Sequence, residues 1–87
     1  MNQYIIKNYI KKLNKEHIYN FALKQNVTLT NNECELILTT IKNNWHELIY
    51  GDASKIFNSV KDKFNHNTYN TMIKLYNEYK TKYQSLL

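Results

Sequence analysis

Thr30-Asn31-Asn32-Glu33-Cys34-Glu35-Leu36-Ile37-Leu38 opens the stretch that decides the fold. Thr30 and Glu33 stand at the spacing of a capping box, in which the Thr hydroxyl and the Glu carboxylate each accept from a backbone amide that a helix start leaves without a partner. Leu29, one residue ahead, is placed to staple onto Cys34. From there Cys34, Ile37, Leu38, Ile41, Trp45, Leu48 and Ile49 recur at three- and four-residue steps, an apolar stripe that lasts to Tyr50. Asn43-Asn44 are weak helix formers and leave open whether this is one helix or two. Gly51 ends it in either case.

Upstream, Ile6, Tyr9, Ile10 and Leu13 form a short apolar face with Lys7, Lys11 and Lys12 opposite, a first amphipathic helix that ends at Leu13-Asn14. Asn14 can cap a second helix, with Leu13 stapled to Ile18, whose inner face holds Ile18, Phe21, Ala22 and Gln25. Asn26 is placed as a left-handed terminator, and Val27-Thr28-Leu29 reads as an extended connector too short for a sheet. Downstream, Asp52 caps a fourth helix with Ala53, Ile56, Phe57, Val60 and Phe64 inward, and Asn65-His66-Asn67 reads as a connector. The fifth helix carries Tyr69, Met72, Tyr76, Tyr79, Tyr83 and Leu86 as a heptad-like seam, widened by Ile73 and Leu75.

With no proline and one glycine in 87 residues, the two strongest turn formers and helix breakers are almost absent. The expected fold is all-α, a bundle of four to five short helices forming a single domain over residues 1–87, with the third and fifth helices as the main packing pair. No stretch approaches the run of about eighteen apolar residues that a membrane span requires. A lone cysteine and a start without a basic leader and apolar run point to the cytoplasm.

All twelve basic residues are Lys, against seven acidic ones, for a formal charge of +5. Together with abundant Asn, this reads first as the codon bias of an AT-rich genome. Chemically, the absence of Arg removes the bidentate fork that matches phosphates and guanine edges. Charge is unevenly spread: residues 1–25 hold five Lys and one Glu (+4), residues 26–51 one Lys and three Glu (−2), and residues 52–87 six Lys and three acids (+3).

No catalytic constellation is legible. Cys34 sits near a helix start, but Glu33 and Glu35 disfavour its thiolate and the staple position buries it. His17, His46 and His66 lie on different elements without a neighbouring ligand at metal spacing, and His46-Glu47 lacks the second His one turn on that a zincin helix requires. One glycine cannot build a phosphate loop. Neither an enzyme nor a cofactor nor a small-molecule substrate is expected. Ala22, Asn26 and Val27 resemble the start of a DNA-binding helix-turn-helix, but Asn32 and Glu35 fall where its second helix needs apolar residues, and the acidic first turn would repel phosphates.

The segment from His17 to Asn44, with Tyr19-Asn20-Phe21-Ala22-Leu23-Lys24-Gln25-Asn26-Val27-Thr28-Leu29-Thr30 before the Glu33 helix, resembles a family of short uncharacterised helical proteins from low-GC Gram-positive bacteria. Likeness continues through Leu48 to Asp52 and the Tyr-rich end. The resemblance implies a helical fold and a cytosolic bacterial setting, and carries no site residues.

Two surfaces are candidates for function. Trp45, Tyr50, Tyr76, Tyr79 and Tyr83 would serve a small non-catalytic interaction or regulatory module binding another protein or a second copy of the chain, since Trp and Tyr are frequent interface anchors. Lys7, Lys11, Lys12, Lys74, Lys80 and Lys82, interleaved with tyrosines, would serve the alternative, a nonspecific nucleic-acid binder, if the two terminal helices share a face.

Overall fold

The computed structural model describes residues 3–84, and the side chains of residues 4–82. Five α-helices account for nearly all of it: α1 (Gln3–Lys12), α2 (Lys15–Lys24), α3 (Asn31–Tyr50), α4 (Ala53–Val60) and α5 (His66–Gln84), with a 3₁₀ turn at Lys61–Lys63 after α4. No strand occurs among the described residues. The all-α bundle expected from the sequence is the fold observed.

Local chemistry sets each boundary. The Asn14 side chain accepts from the His17 amide at 3.0 Å, and His17 Nδ1 accepts from the Asn14 amide at 3.2 Å, so the first cap is a reciprocal box in which histidine takes the usual place of Glu. Asn26 adopts φ 62°. Its amide donates to Leu23 O at 3.0 Å and that of Val27 to Ala22 O at 2.9 Å, the paired bonds of a Schellman stop. Thr30 and Glu33 form the expected capping box, and α3 then runs unbroken to Tyr50. It passes through Asn43-Asn44 because the Asn44 amide turns back onto Thr40 O at 2.8 Å rather than competing for the ladder.

The core joins Ile6, Ile10 and Leu13 of α1, Ile18 and Ala22 of α2, Leu29, and Cys34, Ile37, Ile41 and Leu48 of α3 with Phe57, Met72 and Leu75. Central α3 makes its most extensive backbone approach to α2, not to α5 as the sequence suggests. The short connector between them keeps α2 beside α3, and α3 spreads its remaining surface over α1, α4 and α5.

Other expectations are corrected. Tyr9 is 47% exposed rather than part of the α1 inner face, and Gln25 is exposed. The connector ends at Asn65, and His66 and Asn67 belong to α5: the Asn65 side chain accepts from the Thr68 amide at 2.8 Å and its carbonyl from the Tyr69 amide, which starts the helix at His66. The buried line of α5 runs through Thr68, Thr71, Met72 and Leu75, while Tyr69, Ile73, Tyr76 and Tyr79 are half-buried beside it. Buried threonines are tolerable because each hydroxyl is satisfied: Thr71 donates to Asn67 O at 2.8 Å and Thr68 to Glu33 at 2.6 Å.

Candidate functional site: an apolar groove beside a basic shelf

The α3 stripe outlasts what α1 and α5 cover. Near its C-terminal end, Ile10, Ile41, Leu48, Ile49, Trp45, Tyr76 and Tyr79 surround a small apolar cleft of about 30 Å³, with Lys80 at its edge. Three of the five candidate anchors thus meet in one place. Tyr76 is fixed there by its hydroxyl, which donates to Leu48 O at 2.9 Å, and by an edge-on ring contact with Phe57 at 5.0 Å. Burial pushes the Tyr79 phenol pKa up, and the charge of Glu78 adds to the shift.

Tyr50 stands outside the groove. It is 38% exposed and closes an aromatic cluster with His46 (5.1 Å) and Trp45 (6.4 Å). The Tyr83 side chain lies outside the described residues, as does Leu86.

Trp45 also forms a wall of a second, shallower depression, which it shares with His46, Tyr4, Asn8, Lys7 and Lys11. Lys7 and Lys11 of α1 thus share one depression with Trp45, and Lys80 of α5 shares the other. The Lys80 ammonium sits 5.8 Å from the Tyr76 ring centre, and that of Lys82 sits 5.8 Å from the ring of Tyr9 on α1. The end of α5 and α1 are thereby adjacent. Lys42 adds to this side, its Nζ donating to Lys11 O at 3.2 Å. Lys12 and Lys74 are exposed but line neither depression.

Ile10 and Ile41 were not legible as groove residues, since nothing in their spacing separates a groove wall from a filled core. The opposite end of the molecule is polar: Glu33, Asn65, Thr68 and the Asn26–Leu29 connector line an open depression. There the Glu33 carboxylate is held down to about 2, first by accepting from the Thr30 amide and then from the Thr68 hydroxyl, with Asn65 adding to both against the opposing effect of partial burial. Its bonding capacity is spent inside the fold.

Cys34 is buried, and desolvation, reinforced by Glu33, raises its thiol pKa against a smaller opposing effect of Lys15. His17 is engaged in its cap, His46 in the aromatic cluster, and His66 Nε2 lies 3.0 Å from the Asn70 amide. Among the described residues no three His, Cys, Asp or Glu side chains gather as a metal site would require, and no helix is long and apolar enough to cross a membrane. No protein family, curated protein or solved structure matches the chain.

Proposed function

We propose that this chain is a small non-catalytic protein-interaction module whose contact surface is the groove between α1, α3 and α5. The observation that carries this reading is the meeting of Trp45, Tyr76 and Tyr79, each half-buried, around a small apolar cleft in so small a domain. Half-buried aromatic anchors flanking a concave apolar surface suit a partner side chain and supply contact area at low entropic cost. A nucleic-acid reading draws on Lys7 and Lys11 beside Tyr4, Trp45 and His46, but without Arg it relies on point charges alone.

The test is size-exclusion chromatography with light scattering at low and moderate salt, with and without RNA or duplex DNA, beside titration with an apolar fluorescent dye. The folded protein should ignore nucleic acid at moderate salt and bind the dye, and Ile49→Asp should lose dye binding with unchanged far-ultraviolet circular dichroism. Co-elution with nucleic acid at moderate salt would overturn the reading.

A further inference from the structure

We infer that the depression between α1 and α3 takes a nucleoside monophosphate, with the base against Trp45, the Asn8 amide on its edge and the phosphate between Lys7 and Lys11. The inference goes beyond the protein-interaction reading and does not depend on it, because this site lies outside the cleft and shares only Trp45 with it.

Room is the first observation. The depression lined by Tyr4, Lys7, Asn8, Lys11, Trp45 and His46 holds about 400 Å³, against about 30 Å³ in the cleft. Sites for small organic ligands fall at roughly 300–1,000 Å³.

Charge is the second. Over Gln3–Lys12, α1 carries no acidic residue, and no carboxylate lines the depression. Lys7 and Lys11 stand one helical turn apart, where like charges repel, and Lys42 brings a third ammonium to this side through its bond to Lys11 O. Among the described residues neither the Lys7 nor the Lys11 ammonium has an ion-pair partner. A phosphate set between them relieves that repulsion, and lysine serves a phosphate as a point charge without the arginine fork.

The third is what surrounds the charges. Trp45 and Tyr4 supply ring surface on which a base can lie, Tyr4 being 76% exposed. The Asn8 side chain makes no hydrogen bond among the described residues, so its amide keeps both a donor and an acceptor for a base edge, a pattern that adenine matches. A bare anion would use the lysines and leave the rings and the amide idle. At the other end of the molecule the polar depression is as large, about 400 Å³, but no lysine lines it and its Glu33 carboxylate is already engaged by Thr68.

Titration of the emission of Trp45, the single tryptophan, with adenosine monophosphate, adenosine and a single-stranded oligoadenylate of about six nucleotides tests this, with inorganic phosphate as competitor. Adenosine monophosphate should quench Trp45 and bind at least about tenfold tighter than adenosine at low salt, a margin that narrows as salt is added. Phosphate should displace it only at a concentration at least about tenfold higher. The double variant Lys7→Ala, Lys11→Ala replaces two exposed side chains with a strong helix former, so it should keep its melting temperature and bind the nucleotide no tighter than adenosine. Asn8→Ala should weaken the nucleotide by a smaller factor, about threefold. Displacement by phosphate at equal concentration would reduce the site to two lysines holding any anion and overturn the inference. An oligoadenylate bound more tightly than its count of nucleotides explains would overturn the free nucleotide in favour of a single strand. Silence of Trp45 toward the nucleotide would overturn the inference and leave the cleft reading, which the dye tests, standing.

Discussion

The two ends of α3 are built on opposite plans. At its N-terminus, Thr30 and Glu33 satisfy each other's amides, and the same Glu33 carboxylate reaches across to Asn65 and Thr68 at the start of α5. Polar groups there are spent on one another, and Ile37 just beyond is wholly buried. At its C-terminus the apolar stripe continues, but its covering thins: Leu48 is still buried, whereas Trp45 and Ile49 are half-buried beside a small cleft, and Tyr50 is exposed. A single helix thus holds the fold together with one end and offers an unfinished surface with the other. Stability and binding capacity are separated along its length.

The sharpest way to break that comparison uses one residue type at both ends. Ile37→Ala deletes a fully enclosed side chain and should cost about 3 kcal/mol, the transfer and cavity terms combined. Ile49→Ala deletes the same atoms from a groove wall that already has space beside it, and should cost about 1 kcal/mol. Urea denaturation of the two variants measures the difference, and equal losses would mean that the groove end is packed as tightly as the other.

Glu33→Gln tests the N-terminal end itself and should cost about 2 kcal/mol, since a neutral amide serves poorly as acceptor for three donors at once. A pH signature accompanies it. The folded-state pKa of Glu33 is depressed from 4.5 to about 2, so its contribution is complete above the unfolded value and is lost as pH falls from 4.5 toward 2. In the wild type the melting temperature should decline through that window, and Glu33→Gln should flatten the decline. An unchanged slope would remove Glu33 as its source.

At the groove end, Tyr76→Phe should cost about 1 kcal/mol. Leu48 O is among the last four carbonyls of α3, which a helix leaves without intrahelical partners, and the Tyr76 hydroxyl takes that place. Thermal melts read the loss, and binding of an apolar dye to the groove should persist because the ring remains.

How much of this was legible follows from how far each interaction reaches along the chain. Asn14, Asn26, Thr30 with Glu33, and Asp52 act on residues within three positions, and the sequence alone places these helix boundaries. Asn65 acts at the same range but is hidden in Asn65-His66-Asn67, where every residue reads as loop. Thr68 was missed because its acceptor, Glu33, lies 35 positions away. Met72 and Leu75 were legible as inward, but tyrosines at heptad-like steps drew attention to Tyr69, Tyr76 and Tyr79, which are half-buried, and away from buried Thr68 and Thr71. Trp45, Tyr76 and Tyr79 were legible as anchors by residue type, but their meeting with Ile10 and Lys80 depends on how α1 and α5 cross α3, which no local pattern encodes.

Gly51→Ala probes the C-terminal end most gently. The glycine adopts φ −116°, so no left-handed conformation requires it; what it provides is room. A Cβ there would fall 1.6 Å from Glu47 Oε2, the flexible end of a side chain that now folds back to accept from the Asp52 amide at 2.7 Å. Alanine should swing that carboxylate into solvent and nudge the Glu47 carbonyl, which would lie 3.1 Å from the new methyl. Water can replace the lost acceptor because the bond is exposed, and the reduced freedom of the unfolded chain offsets the rest, leaving a net change within about 0.5 kcal/mol. Hydrogen exchange at the Asp52 amide should nevertheless accelerate, since its protection comes from the displaced carboxylate. A loss beyond about 1.5 kcal/mol would show this end to be as closely fitted as the Glu33 end, because only a site with no space to yield turns one methyl group into a penalty of that size.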